Sequence, residues 1–228
     1  MPQKVTALLP MRQGSERVPG KNYRSFAGRP LYHHVVESLL ASPLVSEVVI
    51  DTDSPFIMRD AAEHFPRVRL IERPLHLRAG DVSMNDVLLN TVSQLQAQWY
   101  LQTHSTNPLL TAETVNRALE TFFDALPQYD SLFSVTAIQS RFWDVGGMPI
   151  NHDPSRLLRT QDLTPVFEEN SNLYLFSADS LKRCGNRIGE RPFMFEIERL
   201  EATDIDTDID FQVAEILYQR RRDAGGKL

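Results

Sequence analysis

The sequence has a single cysteine, Cys184, among its 228 residues, so no disulfide can form within the chain. No apolar run approaches the length of a membrane span, and the N-terminal apolar segment is too short for a secretory signal and lacks a small-residue cleavage site. The formal net charge is -6 and there is no basic tail, which argues against general nucleic-acid binding. These absences predict a cytoplasmic protein that associates with neither nucleic acid nor membrane.

Two familiar phosphate-binding motifs are also missing. A Walker A loop requires G-x-x-x-x-G-K-[ST], but here Gly14 and Gly20 bracket five residues, and Asn22 follows Lys21 where the hydroxyl residue should stand. The dinucleotide fingerprint G-x-G-x-x-G does not occur. A phosphate site in this chain must therefore use a loop of another kind.

The apolar pattern predicts one α/β domain spanning residues 1–228. Hydrophobic residues make up 42% of the chain, which is enough to build a full core. Alternating strands and helices indicate a mainly parallel sheet. The predicted strands cover residues 5–10, 47–53, 68–71, 99–103, 131–138, 172–177 and 193–197.

Helix boundaries follow from capping residues and four-residue spacing. Pro30 is predicted at the first position of a helix, Ser54 and Pro55 begin a second, and Ser83 with Asp86 caps a third that runs to residue 98. Two further helices are predicted at residues 111–124 and 211–222, with a short one near residue 181. The predicted inward-facing side chains are Leu31, Val35 and Leu39, then Ile57, Ala61 and Ala62, and finally Phe211, Ala214, Ile216 and Leu217.

The segment from residue 12 to residue 29 reverses the charge of the chain. It contains five basic residues and one acid, Glu16, and it follows the first predicted strand. Glycines let backbone N–H groups approach a ligand closely, and adjacent cations favour an anion. The pattern indicates a phosphate-bearing ligand contacted by Arg12 and Lys21. The alternative is a solvated surface loop after an edge strand.

Residues 201–210 contain five acids and no base. On an extended chain, Asp204 and Asp206 would lie on one side, and Mg²⁺ commonly takes one or two carboxylates together with substrate phosphates. The alternative is that Asp208 or Asp210 caps the last helix at its positive end. Both interpretations can hold together.

Two of these segments resemble signatures of the acylneuraminate cytidylyltransferases, the CMP-sialic acid synthetases. MRQGSERVPGKN is similar to A-R-x-x-S-K-R-x-P-x-K-N, with Met11 and Glu16 in place of Ala and Lys. DIDTDID matches D-I-D-T-x-x-D, and FEENSNLYLF resembles x-x-N-G-A-x-Y, with Ser171 and Asn172 in place of Gly and Ala. KDO cytidylyltransferases usually have Pro after the Gly-Lys pair, so Asn22 favours the sialate-like branch.

The resemblance implies a three-layer, Rossmann-like nucleotidyltransferase fold. It implies transfer of CMP from CTP to the anomeric hydroxyl of a sialic-acid-like 2-keto sugar acid, a nonulosonate, with release of pyrophosphate. Asp204 and Asp206 would bind Mg²⁺. The residues expected to bind the nucleotide are Pro10, Met11, Arg12, Ser15, Lys21, Asn22, Arg73 and Ser83, and those expected to bind the sugar are Asn170 and Tyr174. Gln102 is also predicted to bind the sugar, because it is a polar residue at the end of a central strand, where ligands gather. The alternative is an ordinary amide that faces a loop.

The periodicity breaks between residues 139 and 161, a segment rich in glycine, proline and arginine. It predicts a hairpin excursion from the sheet, which the resemblance implies is a dimerisation element of a homodimer. One of Arg141, Arg156 and Arg159 could meet the acceptor's carboxylate, or all three are solvated surface side chains. The six histidines show no metal-binding spacing, and His104 is the only one near the predicted site.

Three rival readings remain open. A nucleotide-sugar glycosyltransferase of related architecture would normally carry its acidic motif in mid-chain. A catalytically weak regulatory homologue would bind CTP without releasing pyrophosphate, and a KDO-type cytidylyltransferase would take a different sugar acid.

Overall fold

A seven-stranded sheet carries the fold, in the strand order β5-β4-β1-β6-β8-β7-β9. The structure is a computed structural model that describes residues 3–14 and 17–225. The strands of the sheet are β1 (Val5–Met11), β4 (Val45–Thr52), β5 (Arg69–Glu72), β6 (Trp99–Gln102), β7 (Ser131–Ile138), β8 (Val166–Ser177) and β9 (Pro192–Glu196). A separate small hairpin joins β2 (Ser25–Phe26) to β3 (Arg29–Pro30).

The sheet is mainly parallel, as the alternation of elements predicts. β1 pairs in parallel with β4 and β6, β4 with β5, and β7 with β9, whereas β8 is antiparallel to both of its neighbours. β1 is central and every one of its residues is buried. The carboxyl ends of β1, β4 and β6 therefore lie at one edge of the sheet, where ligands of open α/β folds bind.

Helices cover both faces and complete three layers. The helices are α1 (Leu31–Ala41), α2 (Pro55–His64), α3 (Met84–Ser93), α4 (Ala112–Asp124), α5 (Ala178–Cys184) and α6 (Asp208–Asp223). Helices α1, α2 and α4 pack on the face that holds Leu9 and Ile50, and α3 and α5 pack on the face that holds Leu8 and Val49. Helix α6 packs against α1 and the β2–β3 hairpin through Phe26 and Phe211, whose ring centroids are 5.6 Å apart.

Several predicted boundaries are wrong, each for a local reason. Pro30 is not the first helical residue, because it pairs with Ser25 in the small hairpin and α1 begins at Leu31. Helix α3 ends at Ser93 rather than Gln98, since a turn must lead into β6. Strand β8 begins at Val166, six residues before the predicted start, because its first part pairs with β7.

Two predicted inward-facing side chains point to solvent instead. Ala62 is exposed on α2, and Ile216 on α6 is 52% exposed. The buried stripe of α6 runs through Phe211, Ala214 and Tyr218, at spacings of three and four residues. Ile216 falls outside that stripe, and Tyr218 takes the inward position.

Residues 139–162 leave the sheet between β7 and β8. A single bridge between Trp143 and Pro149 closes a turn, in which Asp144 Oδ1 accepts from the backbone N–H groups of Gly146 and Met148. Asn151 anchors the segment by donating to the carbonyls of residues 140 and 164. The large apolar side chains exposed here are Trp143, Val145, Met148, Ile150 and Leu157.

Among the described helices, none is both long and apolar enough to cross a membrane.

Candidate active site

A cavity of about 550 Å³ opens at the carboxyl ends of β1, β4 and β6. Its wall combines the end of β1, the basic loop that follows, the loop after β6 and the acidic segment before α6. The lining residues are Pro10, Met11, Arg12, Gly14, Arg17, Lys21, Asn22, Arg73, Gly80, Met84, His104, Ser105, Thr106, Ser171, Asp204 and Asp206. The cationic loop and the carboxylate pair therefore face one space.

The basic loop is held in place by a glycine turn and an asparagine clamp. Gly20 has φ 67°, and a Cβ there would lie 2.8 Å from the ring of Tyr23, so the turn requires glycine. Asn22 Nδ2 donates to the Arg12 carbonyl at 2.8 Å, and Asn22 Oδ1 accepts from Ser105 Oγ at 2.7 Å. Asn22 thus ties the basic loop to the loop after β6.

Cations of the loop contact the acidic segment directly. Arg17 Nη2 lies 2.7 Å from Asp206 Oδ1, and Lys21 Nζ lies 3.7 Å from the same oxygen. Lys21 also donates to the Ile205 carbonyl. The Lys21 side chain is only 11% exposed, so this ammonium is fixed between the two segments rather than free in solvent.

Asp204 is the more sequestered of the two cavity carboxylates. Burial raises the pKa of its carboxyl; Asp206 raises it further, while a hydrogen bond from Thr106 and the charge of Lys21 oppose the shift. Two carboxylates at this spacing repel one another, and a cation between them would relieve the repulsion. The predicted helix-capping role is also present, because Thr207 and Asp210 form a capping box at the start of α6.

Arg73 lies at the opposite wall and is 1% exposed. Its Nε donates to Asp51 Oδ1 at 2.5 Å and its Nη2 donates to the Asp51 carbonyl at 3.2 Å. Asp51 Oδ2 accepts from Thr91 Oγ1 at 2.7 Å, so both carboxylate oxygens are satisfied. This buried pair fixes the guanidinium at the end of β4. No motif in the sequence indicated a role for Asp51.

His104 lines the cavity between the two charged regions. Burial, together with the charges of Arg187 and Lys21 and against that of Asp206, lowers the pKa of its imidazole to about 4. The ring is therefore neutral near pH 7. Its buried Nε2 has no hydrogen-bond partner among the described residues.

The three predicted sugar-binding residues lie behind the cavity wall rather than on it. Gln102 is fully buried at the end of β6 and its Oε1 accepts from Arg187 Nη1 at 2.5 Å. Tyr174 donates its hydroxyl hydrogen to Glu169, and its hydroxyl oxygen lies 3.1 Å from Ser171 Oγ, from which it can accept. Asn170 is engaged within the sheet: its Oδ1 accepts from a hydroxyl on β7 at 2.6 Å, and its Nδ2 donates to another at 2.8 Å.

Position 171 explains why the family signature has glycine there. Ser171 adopts φ 58°, a left-handed conformation that favours glycine, and it lines the cavity. The neighbouring Asn172 is fully buried, and neither of its amide atoms has a partner among the described residues. These two departures from the signature therefore place a strained backbone, at Ser171, and a buried polar amide, at Asn172, beside the cavity.

The predicted nucleotide-binding residues differ in whether they line the cavity. Ser83 caps α3 by accepting from the Asn85 N–H at 3.2 Å, and it is not part of the cavity wall, although Gly80 and Met84 are. Ser15 and Glu16 lie outside the described residues. The predicted residues that the fold brings to the cavity are Pro10, Met11, Arg12, Lys21, Asn22, Arg73, Asp204 and Asp206.

A second titratable cluster lies away from the cavity, between α1 and α2. His33 Nε2 is 2.6 Å from Asp60 Oδ2, and His64 Nδ1 is 3.3 Å from Asp60 Oδ1. Candidate ligand atoms of the three residues lie within 4.8 Å of one another, a grouping that histidine spacing along the sequence did not indicate. Burial opposes ionisation of Asp60, but hydrogen bonds from Tyr32 and His33 lower the pKa of this carboxyl overall.

An open α/β sheet whose carboxyl edge holds a cationic loop facing two carboxylates defines a nucleotidyltransferase site. The chain belongs to the cytidylyltransferase family, because the sequence model of that family matches residues 6–227. The resemblance seen in the sequence and the predicted fold class are thereby confirmed.

Individual relatives span nearly the whole chain. A pseudaminic acid cytidylyltransferase from Campylobacter jejuni is 27% identical over 227 residues, covering 95% of this chain and 97% of its own. A CMP-N,N'-diacetyllegionaminic acid synthase from Legionella pneumophila is 27% identical, covering 97% and 99%. The solved structure of a CMP:2-keto-3-deoxy-manno-octonic acid synthetase complexed with CTP shares the fold, with a TM-score of 0.71, 18% identity, and coverage of 96% and 100%.

Proposed function

We propose that this protein transfers CMP from CTP to the anomeric hydroxyl of a nonulosonic acid and releases pyrophosphate. The observation that carries the proposal is the meeting of the cationic loop and the Asp204–Asp206 pair in one cavity at the carboxyl edge of the sheet. Relatives named for pseudaminic and legionaminic acids support the class of acceptor.

The nucleotide would lie along the basic loop. Arg12 and Lys21, which line the cavity, would contact the triphosphate, and their charges would stabilise the negative charge that develops on the leaving pyrophosphate. The backbone of Pro10 and Met11, at the end of β1, would border the cytosine. Arg73, fixed by Asp51, would contact the nucleoside side of the cavity.

Asp204 and Asp206 fit the requirements of a magnesium site. Both are oxygen donors on one cavity wall, and the rest of the coordination would come from phosphate oxygens and water. When bound, Mg²⁺ supplies charge neutralisation to the triphosphate. Arg17 and Lys21 already contact Asp206, so they hold its carboxylate in place beside the phosphate region.

The reaction needs no enzyme nucleophile. The acceptor's anomeric hydroxyl would form a bond from its oxygen to the α-phosphorus while the bond from that phosphorus to the bridging oxygen of pyrophosphate breaks, and the hydroxyl proton would be released to solvent. The chain's task is to hold both substrates in line and to exclude competing water. Ser171 and His104, which line the cavity beside Tyr174 and Gln102, would border the acceptor.

A cytoplasmic homodimer is part of the proposal. The excursion at residues 139–162 exposes five large apolar side chains, more than a solvated loop requires, and a second copy of the chain could cover them. Sedimentation analysis should give a dimer at micromolar concentration. A monomer at that concentration would contradict the homodimer.

The function is tested by pyrophosphate release with CTP, Mg²⁺ and a panel of eight- and nine-carbon keto sugar acids. Release with a nine-carbon acid, and none with other nucleotides, is the expected result. Release with the eight-carbon acid alone would favour a KDO-type enzyme. Thermal stabilisation by CTP without any release would favour a regulatory homologue.

A further inference from the structure

Arg187 lies behind the cavity wall in an environment built around its guanidinium. The residue follows α5, and its Nη1 donates to Gln102 Oε1. The guanidinium carbon is stacked 3.6 Å from the centroid of the Tyr174 ring. A planar cation held by an amide on one side and an aromatic face on the other has a fixed orientation.

This cation has no ion-pair partner among the residues that the structure describes. No carboxylate oxygen of residues 3–14 or 17–225 lies within 4.0 Å of its nitrogens. Glu169 attracts it from a greater distance, but that carboxylate already accepts the hydroxyl of Tyr174. Burial lowers the pKa of the guanidinium, because desolvation disfavours the charged form.

Arg187 is half-buried, and a partly desolvated charge without an ion-pair partner is less stable than one that meets an anion when the protein works. Arginine has five N–H donors in a planar fork, and Gln102 uses one of them. The remaining donors are suited to a carboxylate, which arginine binds through two parallel hydrogen bonds.

The position of Arg187 connects it to the cavity. Tyr174, on which it stacks, is hydrogen-bonded through its hydroxyl oxygen to Ser171, a residue of the cavity wall. His104, another wall residue, lies close enough to Arg187 that the charge of Arg187, like that of Lys21, lowers the pKa of its imidazole. Arg187 therefore lies beside the part of the cavity wall formed by His104 and Ser171, which the proposed function assigns to the acceptor.

We propose that Arg187 binds the carboxylate of the acceptor sugar acid, positioned by Gln102 and Tyr174. The inference rests on the proposed function, whose acceptor carries a carboxylate at neutral pH. It also assigns a role to Gln102 and Tyr174: they orient the arginine and need not contact the sugar themselves.

The arginines of the excursion are less suited to this role within one chain. Arg159 makes two hydrogen bonds to Asp162, and its side chain is 74% exposed. Arg141 donates to the Leu158 carbonyl within the excursion itself. Arg159 is therefore the rival position, and Arg183, which is 56% exposed and pairs with Glu190 at 3.1 Å, is the matched control for a test of Arg187.

The test compares each sugar acid with its methyl ester, which has no negative charge at that carboxyl. The wild-type protein should prefer the acid, and Arg187→Gln should raise KM for the acid about 10- to 100-fold while leaving KM for CTP unchanged. The variant should no longer distinguish acid from ester. Arg187→Lys should keep part of the preference, because it retains the charge but loses the fork. Arg183→Gln should behave as wild type.

The outcomes separate this inference from the proposed function. Wild-type turnover together with an unchanged acid preference in Arg187→Gln would overturn the role of Arg187 alone. Loss of that preference in Arg159→Gln, but not in Arg187→Gln, would give the role to the excursion. Absence of wild-type turnover with every acid would overturn the proposed function and this inference together.

Discussion

Ser171 combines an unfavourable backbone conformation with a place in the cavity wall. Its φ of 58° is costly for any residue with a Cβ, by about 1–2 kcal/mol relative to the right-handed region. Its hydroxyl is hydrogen-bonded to the Tyr174 hydroxyl at 3.1 Å, which ties the strained turn to the ring on which Arg187 stacks. The strain is therefore located where the shape of the acceptor side is set.

Two substitutions separate the strain from the hydroxyl. Ser171→Gly and Ser171→Ala both remove the hydrogen bond to Tyr174, but only glycine relieves the backbone conformation. We expect Ser171→Gly to be more stable than Ser171→Ala by about 1 kcal/mol in free energy of unfolding, measured by urea denaturation. Equal stability of the two variants would show that φ at this position is not strained.

At the residue scale, the pattern of charges along the sequence predicted the basic loop and the acidic segment of the cavity. The surroundings of Arg187, in contrast, depend on tertiary contacts. Arg12, Lys21, Asp204 and Asp206 stand in two local clusters whose charges differ from the rest of the chain, so the sequence revealed them. Arg187 was not predictable in this way. It meets Gln102 across 85 residues of sequence, and only the pairing of β6 with β8 and the turn after α5 bring the two together.

Helix α6 begins directly after the carboxylate pair, so its N-terminus fixes the acidic segment. Thr207 Oγ1 accepts from the Asp210 N–H, and Asp210 Oδ2 accepts from the Thr207 N–H at 2.7 Å. This reciprocal cap satisfies backbone donors that a helix otherwise leaves unpaired. The residues between β9 and α6 therefore lead the chain to the cavity at a defined angle.

Removing the cap should weaken the whole helix. Thr207→Ala should lower the free energy of unfolding by about 1 kcal/mol, because the first turn loses its side-chain acceptor. Thr207→Ser keeps the hydroxyl and should stay within about 0.3 kcal/mol of wild type. Thermal and urea denaturation of the three proteins check this, and equal losses in both variants would argue against the capping role.

At the element scale, the periodicity of apolar residues predicted the presence of helices and strands more accurately than it predicted their boundaries. The buried run of β1 and the cap at Ser54 were found as predicted, because both signals are local. The early start of β8 and the small β2–β3 hairpin depend on partner strands, which no local pattern reveals. The hairpin displaced Pro30 from the helix because pairing with Ser25 required an extended backbone.

Stability of the whole molecule depends on keeping His34 neutral between α1 and α6. Burial lowers the pKa of its imidazole, the carbonyl of Phe26 opposes the shift and the charge of Arg29 adds to it, and the net pKa is about 4. Glu37 attracts the charged form and His33 repels it, but neither reverses the shift. In the unfolded chain the pKa returns to about 6.5, so the unfolded state binds more protons between pH 6.5 and pH 4.

The direction of the pH effect follows from this difference. Stability should fall as the pH drops, by about 2 kcal/mol from His34 alone between pH 7 and pH 5. His34→Gln should lose less stability over that interval by about the same amount, since glutamine does not titrate. The exposed His76→Gln is the control and should follow wild type. Parallel pH profiles for all three proteins would contradict the account.

The central claim is that the cavity uniting the basic loop with the acidic segment is where CMP transfer occurs, and two neighbouring aspartates test it most directly. Asp206 lines the cavity beside Arg17 and Lys21, whereas Asp208, two residues on, pairs with Arg24 outside the cavity wall. Asp206→Asn should reduce Mg²⁺-dependent pyrophosphate release about 100-fold or more without altering thermal stability. Asp208→Asn should stay within about twofold of wild type. Wild-type turnover in Asp206→Asn, or an equal loss in both variants, would contradict the assignment of this cavity as the active site.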